Sequence, residues 1–96
     1  MAWTLYQQTL TANATQLIPP TGGVNVLARQ VIIQNNAAAS MRIGDNTVSA
    51  TKGIYLAAGP GGGSLNSGAV QIYNSYLSDF WAFGTSGNVV DIFVNT

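Results

Sequence analysis

The stretch from Asp79 to Val94 reads DFWAFGTSGNVVDIFV and carries the clearest strand pattern in this 96-residue chain. Aromatic and β-branched residues fill both of its ends, as is typical of strands. Between them, the run TSGN has the length and the glycine of a hairpin loop. The stretch therefore predicts two antiparallel strands, 79–83 and 89–94, joined by a short loop at 85–88.

Strands of the same kind are predicted along the rest of the chain. No window of ten residues has the period of an amphipathic helix, whereas short β-branched or alternating runs recur. The further predicted strands are residues 3–10, 14–18, 27–35, 40–44 and 69–74. Their close spacing predicts an all-β chain folded as an antiparallel β-sandwich of jelly-roll-like topology, with an amino-terminal arm.

Two runs rich in proline and glycine divide the chain. The first, PPTGG at 19–23, breaks regular structure and separates the first two predicted strands from the others. We therefore expect an amino-terminal arm or edge strand at residues 1–23 and a β-sandwich domain at residues 24–96. The second run, LAAGPGGGS at 56–64, is expected to be a long loop between strands.

Charged side chains are scarce. They make up 6% of the residues, the net charge is zero, and histidine and cysteine are absent, whereas soluble domains carry roughly 25% charged residues. Three scattered cations are too few to neutralise a nucleic-acid backbone. The longest uncharged stretch is interrupted by glycine, asparagine and serine, so it is no membrane-spanning helix. We expect no nucleic-acid and no membrane partner, and a chain of this kind is typical of subunits of large assemblies.

The same composition predicts that the chain is not an enzyme. General acid–base and nucleophilic catalysis need titratable side chains close together, and the chain has three aspartates without glutamate, histidine or cysteine. Asp79 and Asp91, on the two strands of the predicted hairpin, are the one pair that could meet. Asp45 in a turn offers too few oxygens for calcium. We expect no catalytic residue, no cofactor and no metal.

Three predicted strands carry apolar residues on both faces. Successive residues of a strand point to opposite faces, so Phe93 faces away from Ile92 on the last strand. Trp81 and Ile32 create the same conflict on their own strands. A domain of this size has one core, so the second apolar face is expected to be covered by another subunit. The alternative is that these are ordinary exposed apolar residues.

Several short motifs between Leu27 and Val94 resemble those of a known class of proteins. The motifs are IQNN at 33–36, MRIGD at 41–45, GIYLAAG at 53–59 and FWAF at 80–83. In their order along the chain they resemble small β-sandwich virion proteins of tailed bacteriophages, including capsid decoration (cement) proteins.

The resemblance implies a homo-oligomer, commonly a trimer, that binds the major capsid protein on the outer capsid lattice and stabilises the shell. The chain would be located in the virion, assembled in the host cytoplasm, and would have no catalytic residues. Amino-terminal arms of such proteins often contact neighbouring subunits, and the first residues here are too apolar to remain in water. The expected subunit or capsid interface comprises Trp3, Leu5, Tyr6, Leu10, Ile32, Trp81 and Phe93.

Two other interpretations stay open. Related patterns occur in tail and fibre components, so the chain could be a tail or fibre module that binds host-surface glycan. An exposed aromatic platform would serve that purpose, and Trp81, or Tyr73 with Tyr76, could supply one. A binding or assembly domain outside viruses is the third interpretation.

Overall fold

A computed structural model describes residues 3–11, 14–19, 27–58 and 68–96 of the chain. The described residues form strands and one short 3-10 helix, and the expected all-β class is confirmed. The strands are β1 (Trp3–Thr9), β2 (Ala14–Gln16), β3 (Leu27–Asn35), β4 (Met41–Gly44), β5 (Ile54–Leu56), β6 (Ala69–Tyr76), β7 (Trp81–Phe83) and β8 (Val89–Asn95), and the 3-10 helix spans Leu77–Asp79.

The strands form two four-stranded antiparallel sheets, an arrangement compatible with a β-sandwich. The order is β1-β8-β3-β6 in the first sheet and β2-β7-β4-β5 in the second sheet. The pairing is nested, because β1 pairs with β8, β2 with β7, β3 with β6 and β4 with β5. The first four strands thus pair in reverse order with the last four. The β3–β8 and β4–β7 pairings complete the two sheets.

The core lies between the inner faces of the two sheets. On β8 the alternation of the strand buries Val90, Ile92 and Val94 and turns Phe93 outward. Burying one aliphatic side chain of this size contributes about 1.5–3 kcal/mol. The core cluster comprises Leu10, Leu17, Ala28, Val31, Ile33, Ala37, Met41, Ile43, Leu56, Leu77, Ala82, Val90, Ile92 and Val94.

The hairpin predicted over residues 79–94 is not formed. Strand β7 lies in the second sheet and β8 in the first, so residues 84–88 connect the two sheets. This connection runs beside the one that follows β1, because Leu10 N donates to Asn88 O at 2.8 Å and Gly87 N donates to Leu10 O at 2.8 Å. The prediction was wrong because β8 pairs at seven positions with β1 and six with β3, far more than a three-residue strand offers.

The amino-terminal segment belongs to the two sheets in the described part of the chain. Strand β1 is an edge of the first sheet and β2 an edge of the second, each paired within the same chain. Leu10 and Leu17, which follow these strands, are both buried in the core. The structure therefore does not confirm a separate arm. The expected boundary at residue 23 and the glycine-rich run from 59 onward lie outside the described residues.

Candidate interaction surfaces

The outer face of the first sheet carries a row of apolar side chains. Leu5 lies opposite Phe93 across the β1–β8 pairing, and Phe93 lies opposite Ile32 across the β3–β8 pairing. Trp3 stacks on Phe93 with ring centroids 4.5 Å apart. Leu5 is 69% and Trp3 43% exposed, although both are large apolar residues. We call Trp3, Leu5, Ile32 and Phe93 the apolar row.

The groove beside the apolar row contains little charge. Its volume is about 360 Å³, and Gln34 and Asp91 line it together with three members of the row. The Asp91 carboxylate accepts a hydrogen bond from Gln7 Nε2 at 2.9 Å. Asp91 therefore has one hydrogen-bond partner within the chain, and its charge favours contact of this carboxylate with water at the side of the row.

The outer face of the second sheet is aromatic with one cation. Arg42 lies between Phe83 of β7 and Tyr55 of β5 in the strand register. Trp81 is one row away, opposite Gly44. Tyr55 is 58% exposed, and Arg42, Trp81 and Phe83 are half-buried. We call Arg42, Tyr55, Trp81 and Phe83 the aromatic face.

Arg42 is held in one position by the turn that joins β4 to β5. Its Nε donates to Ala50 O at 3.1 Å and its Nη1 donates to Gly53 O at 2.9 Å. The guanidinium carbon lies 5.3 Å from the centre of the Tyr55 ring, within the range of a cation–π contact. Gly53 has φ +136°, and a Cβ there would lie 2.8 Å from Val48 Cγ2. Glycine is therefore required where the turn presents its carbonyl to Arg42.

A pocket opens beside Arg42 on the aromatic face. Its volume is about 320 Å³. The lining combines aromatic rings, the guanidinium and two hydroxyl side chains, and consists of Ser40, Met41, Arg42, Ala50, Tyr55, Phe83, Gly84 and Thr85.

Asp45 and Lys52 stabilise the same turn. The pKa of Asp45 is lowered, chiefly by the hydrogen bond from the Thr47 hydroxyl and then by the one from the Thr47 backbone N–H. Lys52 Nζ donates to Thr47 Oγ1 at 2.8 Å. Among the described residues, no group of three or more acidic, histidine or cysteine side chains could hold a metal ion.

The structure brings together four of the seven predicted interface residues. Trp3, Leu5, Ile32 and Phe93 form the apolar row, whereas Trp81 lies on the other sheet. Strand patterns indicated Ile32 and Phe93 as surface apolar residues, and the apolar character of the amino-terminal segment indicated Trp3 and Leu5. The sequence did not indicate that the four would be neighbours.

Two of the predicted interface residues are directed toward this chain's own core. Leu10 is 1% exposed and offers no surface to a partner. Tyr6 packs against the core, its hydroxyl donates to Ile18 O at 2.7 Å, and burial raises its pKa to about 12. The reason is that β1 is part of the first sheet, so its alternate residues face inward.

The other residues considered for chemistry are dispersed. Asp79 ends the 3-10 helix and Asp91 lies on β8. The two aspartates were expected to approach each other on adjacent strands of a hairpin, and that hairpin is not formed. Tyr73 and Tyr76 are exposed on the edge strand β6, where the Tyr73 hydroxyl donates to Gln71 Oε1 at 2.9 Å. Sequence reasoning missed Tyr55, because its contact with Arg42 depends on which strands pair.

Comparisons with known proteins add no relative. No protein-family model, curated protein or solved structure matches the chain. Within the described residues, no helix has the length and apolar character needed to cross a membrane. The two outer faces are therefore the candidate functional surfaces of this chain.

Proposed function

We propose that this chain is a structural virion protein that assembles as a homo-oligomer, binds the outer capsid lattice and stabilises it. The apolar row is the observation that carries the proposal. Contiguous exposed apolar surface marks interaction sites on soluble proteins, and the row combines Leu5 with the stacked pair Trp3 and Phe93. Burying each large apolar side chain of the row contributes about 1.5–3 kcal/mol.

The finer topology that we propose is a jelly roll. Its support is the nested pairing of eight strands in two sheets, with orders β1-β8-β3-β6 and β2-β7-β4-β5. Jelly-roll domains occur in viral capsids and in lectins. A fold hosts many functions, so this topology fits a virion role without selecting it. The apolar row supports the self-assembly part of the proposal, and the virion role follows the resemblance of the sequence motifs to virion proteins.

The proposed occupant of the apolar row is the same row of neighbouring copies. The net charge of the chain is zero, so copies approach without long-range repulsion. The carboxylate that borders the row, Asp91, already accepts a hydrogen bond from Gln7. Following the resemblance to decoration proteins, the oligomer is a trimer, and surface outside the row contacts the major capsid protein.

The proposal includes no catalytic activity. The chain has no histidine, cysteine or glutamate. The Asp91 carboxylate accepts a hydrogen bond from the Gln7 side chain. Hydrolysis of a polysaccharide or peptide substrate by purified protein, abolished by Asp79→Asn or Asp91→Asn, would contradict this part.

Sedimentation velocity tests the oligomer. The wild type is expected to sediment as an oligomer at micromolar concentration, and Leu5→Asp as a folded monomer, because a charge would be placed in the buried contact. Ile54→Asp is the matched control, since Ile54 is also aliphatic and more than half exposed (55%, against 69% for Leu5) but lies on the second sheet. It should sediment like the wild type. A monomeric wild type at high micromolar concentration would overturn the proposed assembly.

Co-sedimentation with undecorated shells of tailed bacteriophages tests the capsid role. The wild type should pellet with the shells and raise the temperature at which they open, and Leu5→Asp should do both less well. An intact oligomer that neither pellets with the shells nor protects them would contradict the capsid role and leave self-assembly standing.

The second candidate function is binding of host-surface glycan as a tail or fibre module. The aromatic face favours it, because Tyr55, Trp81 and Phe83 present rings on one surface beside a pocket of about 320 Å³. Such pockets lie in the size range of small-ligand sites. Glycan-array binding by the wild type, lost in Phe83→Ala and retained in Leu5→Asp, would support this function.

A further inference from the structure

We propose that the pocket beside Arg42 binds the carboxylate of an acidic sugar residue. The inference rests on the second candidate function, glycan binding, and narrows it to saccharides that carry a carboxylate. In this proposal the guanidinium binds the carboxylate of the sugar, and the neighbouring aromatic rings and hydroxyls contact the sugar ring.

The Arg42 guanidinium has unused N–H donors and, among the described residues, no counter-ion. A guanidinium carries five N–H donors, of which one on Nε and one on Nη1 donate to the carbonyl oxygens of Ala50 and Gly53. The remaining three have no acceptor among the described residues. Both partners are neutral carbonyls, so the positive charge is not balanced locally. A planar carboxylate is the group that matches two parallel N–H donors of arginine.

The cation is also preorganised. A free arginine side chain loses rotamer freedom when it binds a ligand, and this loss weakens binding. Arg42 is already held by two carbonyls of the β4–β5 turn and by the Tyr55 ring. The contacts that tie the turn to β4 therefore also fix the guanidinium in the wall of the pocket.

The pocket fits one sugar ring better than a simple anion or an acidic side chain. Its volume of about 320 Å³ exceeds what a carboxylate alone fills. The rings of Tyr55 and Phe83 can cover the C–H face of a sugar, and the hydroxyls of Ser40 and Thr85 can exchange hydrogen bonds with sugar hydroxyls. A partner's aspartate would occupy only the Arg42 end.

Chemical-shift titration of the full chain tests the inference with glucuronic acid and N-acetylneuraminic acid as probes. Glucose, galactose and acetate are the comparisons. Both acids should shift the resonances of Arg42, Tyr55 and Phe83, with the neutral sugars and acetate at least about tenfold weaker, because each lacks half of the recognised chemistry.

Variants distinguish recognition by the two parallel N–H donors of arginine from recognition by positive charge alone. Arg42→Lys keeps the charge but loses the two parallel donors, so acidic sugars should bind about tenfold more weakly. Arg29→Gln is the matched control, because it removes a positive charge from an exposed position on the first sheet, outside the pocket lining and the turn that holds Arg42. Its affinity should equal that of the wild type. If Arg42→Lys does not fold, Thr85→Val provides the pocket test, since Thr85 is exposed in the lining.

The outcomes distinguish this inference from the functions beneath it. Neutral sugars that bind as well as the acids, with no effect of Arg42→Lys, would overturn the inference and leave glycan binding standing. Acetate or an acidic peptide that binds as tightly as the sugars would overturn it in favour of a general carboxylate site. No shift with any sugar at millimolar concentration would overturn both the inference and glycan binding, whereas the capsid role is decided separately by sedimentation.

Discussion

At the scale of single residues, Asn35 is the most deeply buried polar residue in the described part of the chain. It is fully buried at the end of β3, and its Oδ1 accepts from Ala37 N at 2.9 Å. Its Nδ2 donates to the carbonyls of Ala39, Leu56 and Ala57 at 2.9, 3.3 and 3.2 Å. One amide thus satisfies backbone groups from the turn after β3 and from the end of β5, and so connects the two sheets.

Replacing Asn35 by aspartate should therefore be costly. Asn35→Asp keeps the shape but directs a carboxylate at carbonyl oxygens, and an unpaired buried charge costs about 3–5 kcal/mol. Urea unfolding measures the loss. Asn36→Asp is the matched control, because the Asn36 contact is made by its backbone N–H to Val89 O and survives the substitution. Equal losses in the two variants would show that the Asn35 amide is unimportant.

Asp45 provides a pH-dependent test at the same scale. Its folded pKa lies below its ordinary value because Thr47 donates to its carboxylate through both hydroxyl and backbone N–H. A depressed folded pKa means that the stabilisation is present above the unfolded pKa and is lost as the pH falls through the folded one. Carbon-13 titration of the Asp45 carboxyl should give a midpoint below that of a model peptide, and Thr47→Val should raise it. An unchanged midpoint in Thr47→Val would contradict this account.

At the scale of elements, strands could be predicted from the sequence better than their partners could. The predicted strand 27–35 agrees with β3, because the alternation of apolar residues is a local signal. The predicted β7–β8 hairpin was wrong, because pairing depends on residues far apart in the chain. The apolar row needs β1 beside β8, and the aromatic face needs β5 beside β4. Both surfaces follow from the nested topology, which short motifs do not encode.

The role of the amino-terminal segment can be measured on two neighbouring residues. Leu17 lies in the core and Ile18 is exposed immediately after it. Leu17→Ala should lower the free energy of unfolding by about 2–5 kcal/mol, because a large core side chain is removed. Ile18→Ala should change it by about 0.5 kcal/mol or less, as surface substitutions do. Denaturant unfolding of both variants decides whether the amino-terminal segment contributes to the core.

Deletion of residues 1–18 extends the same test to the whole segment. It removes β1, β2 and the two core leucines that follow them, so the remaining chain should lose its cooperative unfolding transition. A truncated chain that keeps the circular dichroism and melting of the wild type would show that the segment is an arm after all.

At the scale of the whole molecule, the two outer faces have different chemistry. The first sheet presents the uncharged apolar row, and the second presents Arg42 among aromatic rings. The outer faces of a two-sheet sandwich point in opposite directions. An oligomer held together through the first sheet therefore leaves the second sheet free, and self-assembly and ligand binding can coexist on one small domain.

Ionic strength should separate the two faces in one preparation. Raising sodium chloride from about 0.1 M to about 1 M shortens the Debye length from about 10 Å to about 3 Å. Contacts between charges at the surface weaken under these conditions, whereas burial of apolar surface is not screened. Glucuronic acid should therefore bind more weakly at high salt, while the sedimentation coefficient of the oligomer stays constant. If the oligomer dissociates in salt while the apolar row is intact, charged contacts and not the row hold the subunits together. If glucuronic acid binds equally well at both concentrations, its contact with the protein is not made through the charge of Arg42.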